Sequence, residues 1–305
     1  MKKYLKIAVS VTLLGVLLYK TNWKSIYQNI NISDLPMVSL VFMILVTQFP
    51  VSAYRWKKSL AIHELNFPFL YLQKILCIGF FFNTFLPTSI GGDGYRALKT
   101  VPGEGEKTRS ISAILLERIL GFLVLLFLGL LGGVFLLREY QTPAIRMYVF
   151  GGVLVIFIFS IARILLGKNI FGGFLDGASW MKKFDAVKSN FQYIKSDRRN
   201  LLRVIVYSIV FQLLAITSIY LLFMAVGVKT GIADCAFIAA FAGIAAVLPI
   251  SINGIGVVEG SLVFSAAQVG IGYDQAIIVA LTLRILTIPL TLICGFLYLY
   301  DAARS

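Results

Sequence analysis

Glu117 and Arg118 stand side by side inside an apolar run, residues 111–137. Arg284 lies about nine residues into another such run, 275–299. Glu259 sits in Gly256-Val257-Val258-Glu259-Gly260. Charged groups at the centre of a membrane helix cost about 2.5–3.5 kcal/mol each on insertion scales, so they face a bundle interior or a cavity. The chemistry open to them is charge recognition. A guanidinium holds a phosphate through two parallel hydrogen bonds. A carboxylate beside it balances charge or carries a proton. Asp93 and Arg96 join this set in Gly91-Gly92-Asp93-Gly94-Tyr95-Arg96. Glycines there let the backbone turn and approach a ligand closely. Asn83 and Asn253 offer amides to backbone groups freed where helices break. The structural alternative is that Glu117 pairs with Arg284, and Glu259 with Arg118, only to fix packing, as some buried ion pairs do.

Little else in the chain suits an enzyme centre. His63 is the single histidine, and beside Glu64 it reads as a solvated loop residue. Cys77, Cys235 and Cys294 each stand alone in an apolar run, so neither a disulfide framework nor a zinc cluster is expected. A Ser-His-Asp hydrolase is equally hard to build. No P-loop is present, so transport would be facilitated or ion-coupled rather than driven by ATP. No catalytic residue, metal ligand or cofactor is assigned.

The elements that must position these charges are membrane helices. The chain is 59% hydrophobic and 14% charged, against about 25% charged in a soluble domain. Six spans are predicted, at 4–20, 35–54, 111–137, 146–167, 202–226 and 275–299. The first imitates a signal peptide, but no small-residue cleavage site follows it, and it reads as an uncleaved helix. Two more apolar regions, 67–90 and 235–272, are interrupted by Pro and Gly. The net charge of +14 lies between apolar runs, which fits loop charge and anionic lipid rather than nucleic acid.

Basic loops set the topology. The loop 168–203 carries eight Lys and Arg and belongs on the cytoplasmic side. Arg55, Lys57, Lys58 and the N-terminus belong there too. A single crossing by 67–90 would place the 168–203 loop outside, so that region must enter and leave on the inner side. By the same parity, 235–272 enters and leaves from outside, and both termini are cytoplasmic. Irregular backbone at membrane depth survives only where protein or a water-filled cavity covers it. Arg163 lies near a helix end and snorkels. Residues 168–200 interleave Lys with Phe171, Trp180, Phe184 and Phe191. They read as an amphipathic connector on the inner leaflet or a plain loop. Phe80-Phe81-Phe82 reads as lipid-facing or as hairpin packing.

The two interrupted regions are alike. One reads Leu86-Pro87-Thr88-Ser89-Ile90-Gly91-Gly92, the other Leu248-Pro249-Ile250-Ser251-Ile252-Asn253-Gly254. Arg118-Ile119-Leu120 follows the first and Arg284-Ile285-Leu286 the second, with Pro-to-Arg spacings of 31 and 35. Pro87, Gly91 and Gly92 break one hairpin; Pro249, Gly254 and Gly256 break the other. The expected fold is all-α: one polytopic membrane domain, 1–305, of about six spans and two re-entrant broken hairpins. Its inverted-topology repeats are 1–137 and 146–305, with 168–200 a basic connector. Such repeats, with matching broken segments, point to a carrier whose site lies near the midplane at the repeat interface.

The run from Phe82-Asn83-Thr84-Phe85-Leu86-Pro87 through Tyr95-Arg96, then Glu117-Arg118, then Leu248-Pro249 through Glu259-Gly260, resembles the membrane region of lysylphosphatidylglycerol synthases. The resemblance covers nearly the whole chain and is closest to stand-alone, flippase-like members. It implies a multi-pass protein of a prokaryotic cytoplasmic membrane that moves a lipid head group between leaflets. The chain ends at Ser305, so the soluble synthase domain is not expected. Val258 stands where the family often has a basic residue. The implied partners are membrane lipids, either an anionic phospholipid or a polyprenyl-phosphate carrier. A separate synthase or glycosyltransferase is a further candidate partner. Two other functions stay open: a non-catalytic membrane partner of a lipid-modifying synthase, and a membrane-embedded lipid-phosphate enzyme.

Overall fold

Apolar runs in lipid must satisfy their own backbone hydrogen bonds, and helices do so within one segment. A computed structural model describes residues 2–21, 35–85, 91–101, 103, 107–139, 197–247 and 251–303. Its helices in these residues are α1 (Lys2–Lys20), α2 (Leu35–Ile62), α3 (Phe69–Phe85), α4 (Gly91–Lys99) and α5 (Lys107–Glu139). They continue as α6 (Arg198–Ala225), α7 (Ile232–Val247), α8 (Val257–Gln268) and α9 (Tyr273–Ala302). A 3₁₀ turn, Ile252–Gly254, precedes α8. Among the described residues, four helices are long and apolar enough to cross a membrane: α2, α5, α6 and α9. The apolar parts of α1, α3 and α7 are shorter. The protein is an all-helical, polytopic membrane bundle. The predicted span 146–167, Arg163 and nearly all of the connector 168–200 fall outside the described residues, as do Pro87 and Pro249.

The sequence expectation stopped the second span at residue 54. The helix instead continues through Ile62, and Arg55, Trp56, Ser59 and Leu60 are buried on it. Arg and Lys are good helix formers, and tertiary packing supplies the rest. His63 is also corrected. It is buried rather than solvated, its Nδ1 lies 2.9 Å from the Ser59 carbonyl, and burial pushes its pKa down.

The first interrupted region is a hairpin of α3 and α4. At its open end the Tyr71 hydroxyl donates to the Lys99 carbonyl at 2.8 Å. Towards its tip the Gly92 amide donates to Asn83 Oδ1 at 2.8 Å. Asn83 thereby satisfies a helix-start amide. Gly92 is required by closeness: a Cβ there would overlap the Gly79 carbonyl oxygen. The Ser59 hydroxyl donates to the Ala113 carbonyl at 2.6 Å, and Arg109 pairs with Glu64 at 3.5 Å. The end of α2 and the start of α5 thus share one end of the bundle. The hairpin between them returns to the end it left. Lys74 of α3 pairs with Asp301 of α9, which places the end of α9 there as well.

The second interrupted region is α7, the 3₁₀ turn and α8. Phe241 and Phe264 hold α7 beside α8 with ring centroids 6.3 Å apart. The turn needs left-handed backbone, with φ of 48° at Asn253, 71° at Gly254 and 81° at Gly256. That region costs most L-residues about 1–2 kcal/mol, which Gly and often Asn avoid. α1 rests on this turn, since a Cβ on Gly256 would lie 2.7 Å from Leu13 Cβ. The 3₁₀ turn also packs against α3, so the two broken regions meet. The largest buried cluster centres on Phe223, Phe237, Ile238, Ile277 and Val279 of α6, α7 and α9, and is completed from α2, α5 and α8.

Asp197 caps α6. Its Oδ1 accepts from the Asn200 amide at 3.0 Å, and that bond holds the carboxyl below its usual range. A lowered pKa contributes stability above the ordinary carboxylate range, which is lost as pH falls through the lowered value. Asp197→Ala is expected to cost about 1 kcal/mol, read as a lower melting temperature in detergent. Asp197→Asn keeps a cap and loses the acid dependence.

Candidate functional site

Glu117 lies ten residues into α5, about 15 Å along the helix axis, and its side chain is 1% exposed. A carboxylate so deep needs partners of opposite charge and full hydrogen bonding. It has both. Oε1 accepts from Arg55 Nε at 3.1 Å and Nη2 at 2.7 Å. Oε2 accepts from Arg96 Nη2 at 2.5 Å. The Arg96 guanidinium carbon sits 4.2 Å over the Trp56 ring, and that of Arg55 is 5.0 Å from the Phe211 centroid. Cation–π contacts of this kind suit desolvated guanidiniums. Arg96 Nη1 also donates to Asp93 Oδ1 at 3.3 Å, and Asp93 Oδ2 pairs with Arg118 Nε. The result is an alternating chain, Arg55–Glu117–Arg96–Asp93–Arg118, across α2, α4 and α5.

The second hairpin has its own pair. Glu259 is buried on α8. Its Oε2 accepts from the Gly256 amide at 2.7 Å, capping its own helix. Its Oε1 accepts from Arg284 Nε at 2.5 Å. Arg284 Nη1 reaches the Asn253 carbonyl at 3.5 Å.

These contacts correct the expected pairing. Glu117 does not meet Arg284, and Glu259 does not meet Arg118. Each carboxylate pairs with an arginine of its own hairpin or of the span after it, because that span packs directly on the hairpin's short helix, and Glu117 also takes Arg55 of α2. The signs are exchanged between the two hairpins. α4 offers the cation Arg96 to Glu117 of the next span, and α8 offers the anion Glu259 to Arg284 of the next span. The sequence separations are 21 and 25, differing by as much as the two Pro-to-Arg spacings do.

Arg55 was assigned from sequence to a basic loop and is instead buried against Glu117. The available signal was its place among Ala53, Trp56, Ser59 and Leu60, a helical face that continues past the expected helix end. Trp56 was missed for the same reason. Phe80, Phe81 and Phe82 pack inside the protein. Phe80 meets Phe49 at 5.2 Å, Phe82 meets Tyr298 at 5.0 Å, and Phe81 lies against Gly295. Cys77 on α3 accepts from Gln73 Nε2 at 3.9 Å, and Cys77 and Cys294 are free thiols. Among the described residues, no three His, Cys, Asp or Glu side chains gather where they could hold a metal ion.

A family model described as the lysylphosphatidylglycerol synthase TM region matches residues 4–295. The chain belongs to that family. The match covers both hairpins and every residue of the two buried charge networks. The chain is also similar to the UPF0104 membrane protein PH1989 of Pyrococcus horikoshii. It is 22% identical to that protein over 311 residues, covering 93% of this chain and 91% of the relative. Membership in the synthase TM region family places the charge networks in a membrane protein tied to lipid metabolism.

Proposed function

We propose that this member of the family moves the polar head group of a membrane lipid between leaflets, the tail staying in the bilayer. The substrate is a phospholipid or a lipid-linked phosphate or sugar. The observation that carries the reading is a pair of broken hairpins that meet, each with a buried carboxylate and a part-exposed arginine. The side chains of Arg118 and Arg284 are 46% and 28% exposed, so each can offer hydrogen-bond donors to a phosphate. Their regions stand in two halves of inverted topology, 1–137 and 146–305. The membrane is the cytoplasmic membrane of a prokaryote, with both termini inside. An enzymatic reading has less support, because Glu117 and Glu259 are occupied as acceptors and a general base must be available to substrate.

The test is leaflet exchange of fluorescent phospholipids and polyprenyl-phosphate sugars in proteoliposomes. The wild type scrambles at least one of them. Arg118→Ala and Arg284→Ala each slow exchange by about tenfold or more, as expected for losing a charge-assisted hydrogen bond. Equal rates in all three proteins overturn the assigned roles. No exchange of any lipid by the wild type overturns the transport reading. Co-purification of a synthase would then favour a partner role.

A further inference from the structure

Arg118 is the accessible cation of the first network. Arg55 and Arg96 are buried with Glu117, whereas Arg118 is nearly half exposed. Its partner Asp93 is well covered, at 13% exposure. The short helix α4 and the span α5 therefore join through reciprocal pairs. Asp93 and Arg96, one turn apart on α4, meet Arg118 and Glu117, adjacent on α5. The charges do not cancel. Three guanidiniums face two carboxylates, leaving one positive charge. Among the described residues, Arg96 Nε is buried without a hydrogen-bond partner, so donors exceed acceptors there in hydrogen bonding as well as in charge. At the second hairpin, Arg284 and Glu259 match one to one, and Glu259 is tied down by the Gly256 amide too.

Carboxylate and phosphodiester oxygens are interchangeable acceptors for a guanidinium. We infer that Asp93 holds on Arg118 the place of the substrate phosphate, and that a net-monoanionic phosphodiester head group displaces it and loosens α4 on α5. This inference rests on the head-group transfer reading above. A single negative charge neutralises the network. A zwitterionic head group brings its own cation towards three guanidiniums and is disfavoured. After exchange, Asp93 keeps only its 3.3 Å contact with Arg96, and Arg96–Glu117 alone joins the two helices by charge. Asp93 is thus a specificity-determining residue that sets a threshold for binding. Head-group capture and movement of the first hairpin become one event.

The experiment measures binding in detergent, apart from transport. Dihexanoyl phosphatidylglycerol and dihexanoyl phosphatidylcholine are titrated into wild type, Asp93→Asn and Arg118→Ala by calorimetry. Removing the competing carboxylate tightens phosphatidylglycerol binding by about tenfold and leaves phosphatidylcholine unchanged. Arg118→Ala loses the preference for the anionic lipid. Gly94 supplies a second readout, because it is exposed and a Cβ there meets nothing within 4 Å. In Gly94→Cys protein that retains Asp93, phosphatidylglycerol speeds maleimide labelling and phosphatidylcholine does not. The parent protein gives the background from the native cysteines. Equal or weaker phosphatidylglycerol binding by Asp93→Asn overturns the inference. So does Gly94→Cys labelling that ignores phosphatidylglycerol, which decides alone if Asp93→Asn does not fold. An equal response to inorganic phosphate overturns the assignment to a lipid. Wild type that scrambles lipid without these effects leaves the transport reading standing and removes this one. Wild type that binds as described without scrambling removes transport alone.

Discussion

Glu117→Ala is expected to be the most damaging single substitution in the protein. It leaves Arg55 and Arg96 buried and facing each other, with all three of their hydrogen bonds to the carboxylate gone. Removing one partner of a buried ion pair typically costs about 3–5 kcal/mol, because the remaining charge is uncompensated. Thermal unfolding in detergent reads this as a large drop in melting temperature, and scrambling falls with it. Glu117→Gln keeps the shape and loses the charge, and is expected to be intermediate. Replacing the whole triad by apolar residues of similar volume, Arg55→Met, Arg96→Met and Glu117→Leu, separates packing from function. Buried ion networks replaced in this way often recover or gain stability. The triple variant is expected to melt near the wild type and to scramble no lipid. If it scrambles at the wild-type rate, the network serves packing alone.

Gly92→Ala and Gly94→Ala are expected to have opposite effects, although they lie two residues apart in the same short helix. A Cβ at Gly92 overlaps the Gly79 carbonyl oxygen and lies 2.8 Å from Asn83 Cγ. Backbone stands on the far side, so α4 must shift. The shift breaks the Asn83–Gly92 bond and draws Arg96 away from Glu117. Overpacking of this kind costs about 1–3 kcal/mol, and here it also disturbs the buried ion pair. Transport is expected to fall to background. At Gly94 the Cβ meets open space, and alanine in a helix is favoured over glycine by up to about 1 kcal/mol. Gly94→Ala should therefore melt at or above the wild type and keep its transport. Equal melting temperatures for the two variants would show that α4 does not seat on α3 through Gly92.

Much of the architecture was legible in one dimension because lipid is a demanding solvent. A span needs about 20 apolar residues, and a break in such a run must be covered by protein or water. Apolar length therefore marked α2, α5, α6 and α9, and Gly and Pro marked the two interrupted regions. The turn in the second region uses left-handed backbone at Gly254 and Gly256. The rarity of charge in these runs picked out Glu117, Arg118, Glu259 and Arg284 as residues that must face inward. The end of α2 was not legible. Arg55, Lys57 and Lys58 resemble a boundary by composition, and only the buried face through Trp56, Ser59 and Leu60 shows that the helix continues.

The sequence by itself determined that buried charges exist and that two glycine-rich breaks stand near them. Only the tertiary structure decided who pairs with whom. Arg55 reaches Glu117 across 62 positions of chain, a separation that no helical period encodes. The Arg284 guanidinium finds Glu259 because α9 packs on α8. Transfer into lipid penalises a charge at whatever position it occupies, so a linear sequence records the penalty. The compensating bond is satisfied only within hydrogen-bonding distance, and that distance is set by how helices cross.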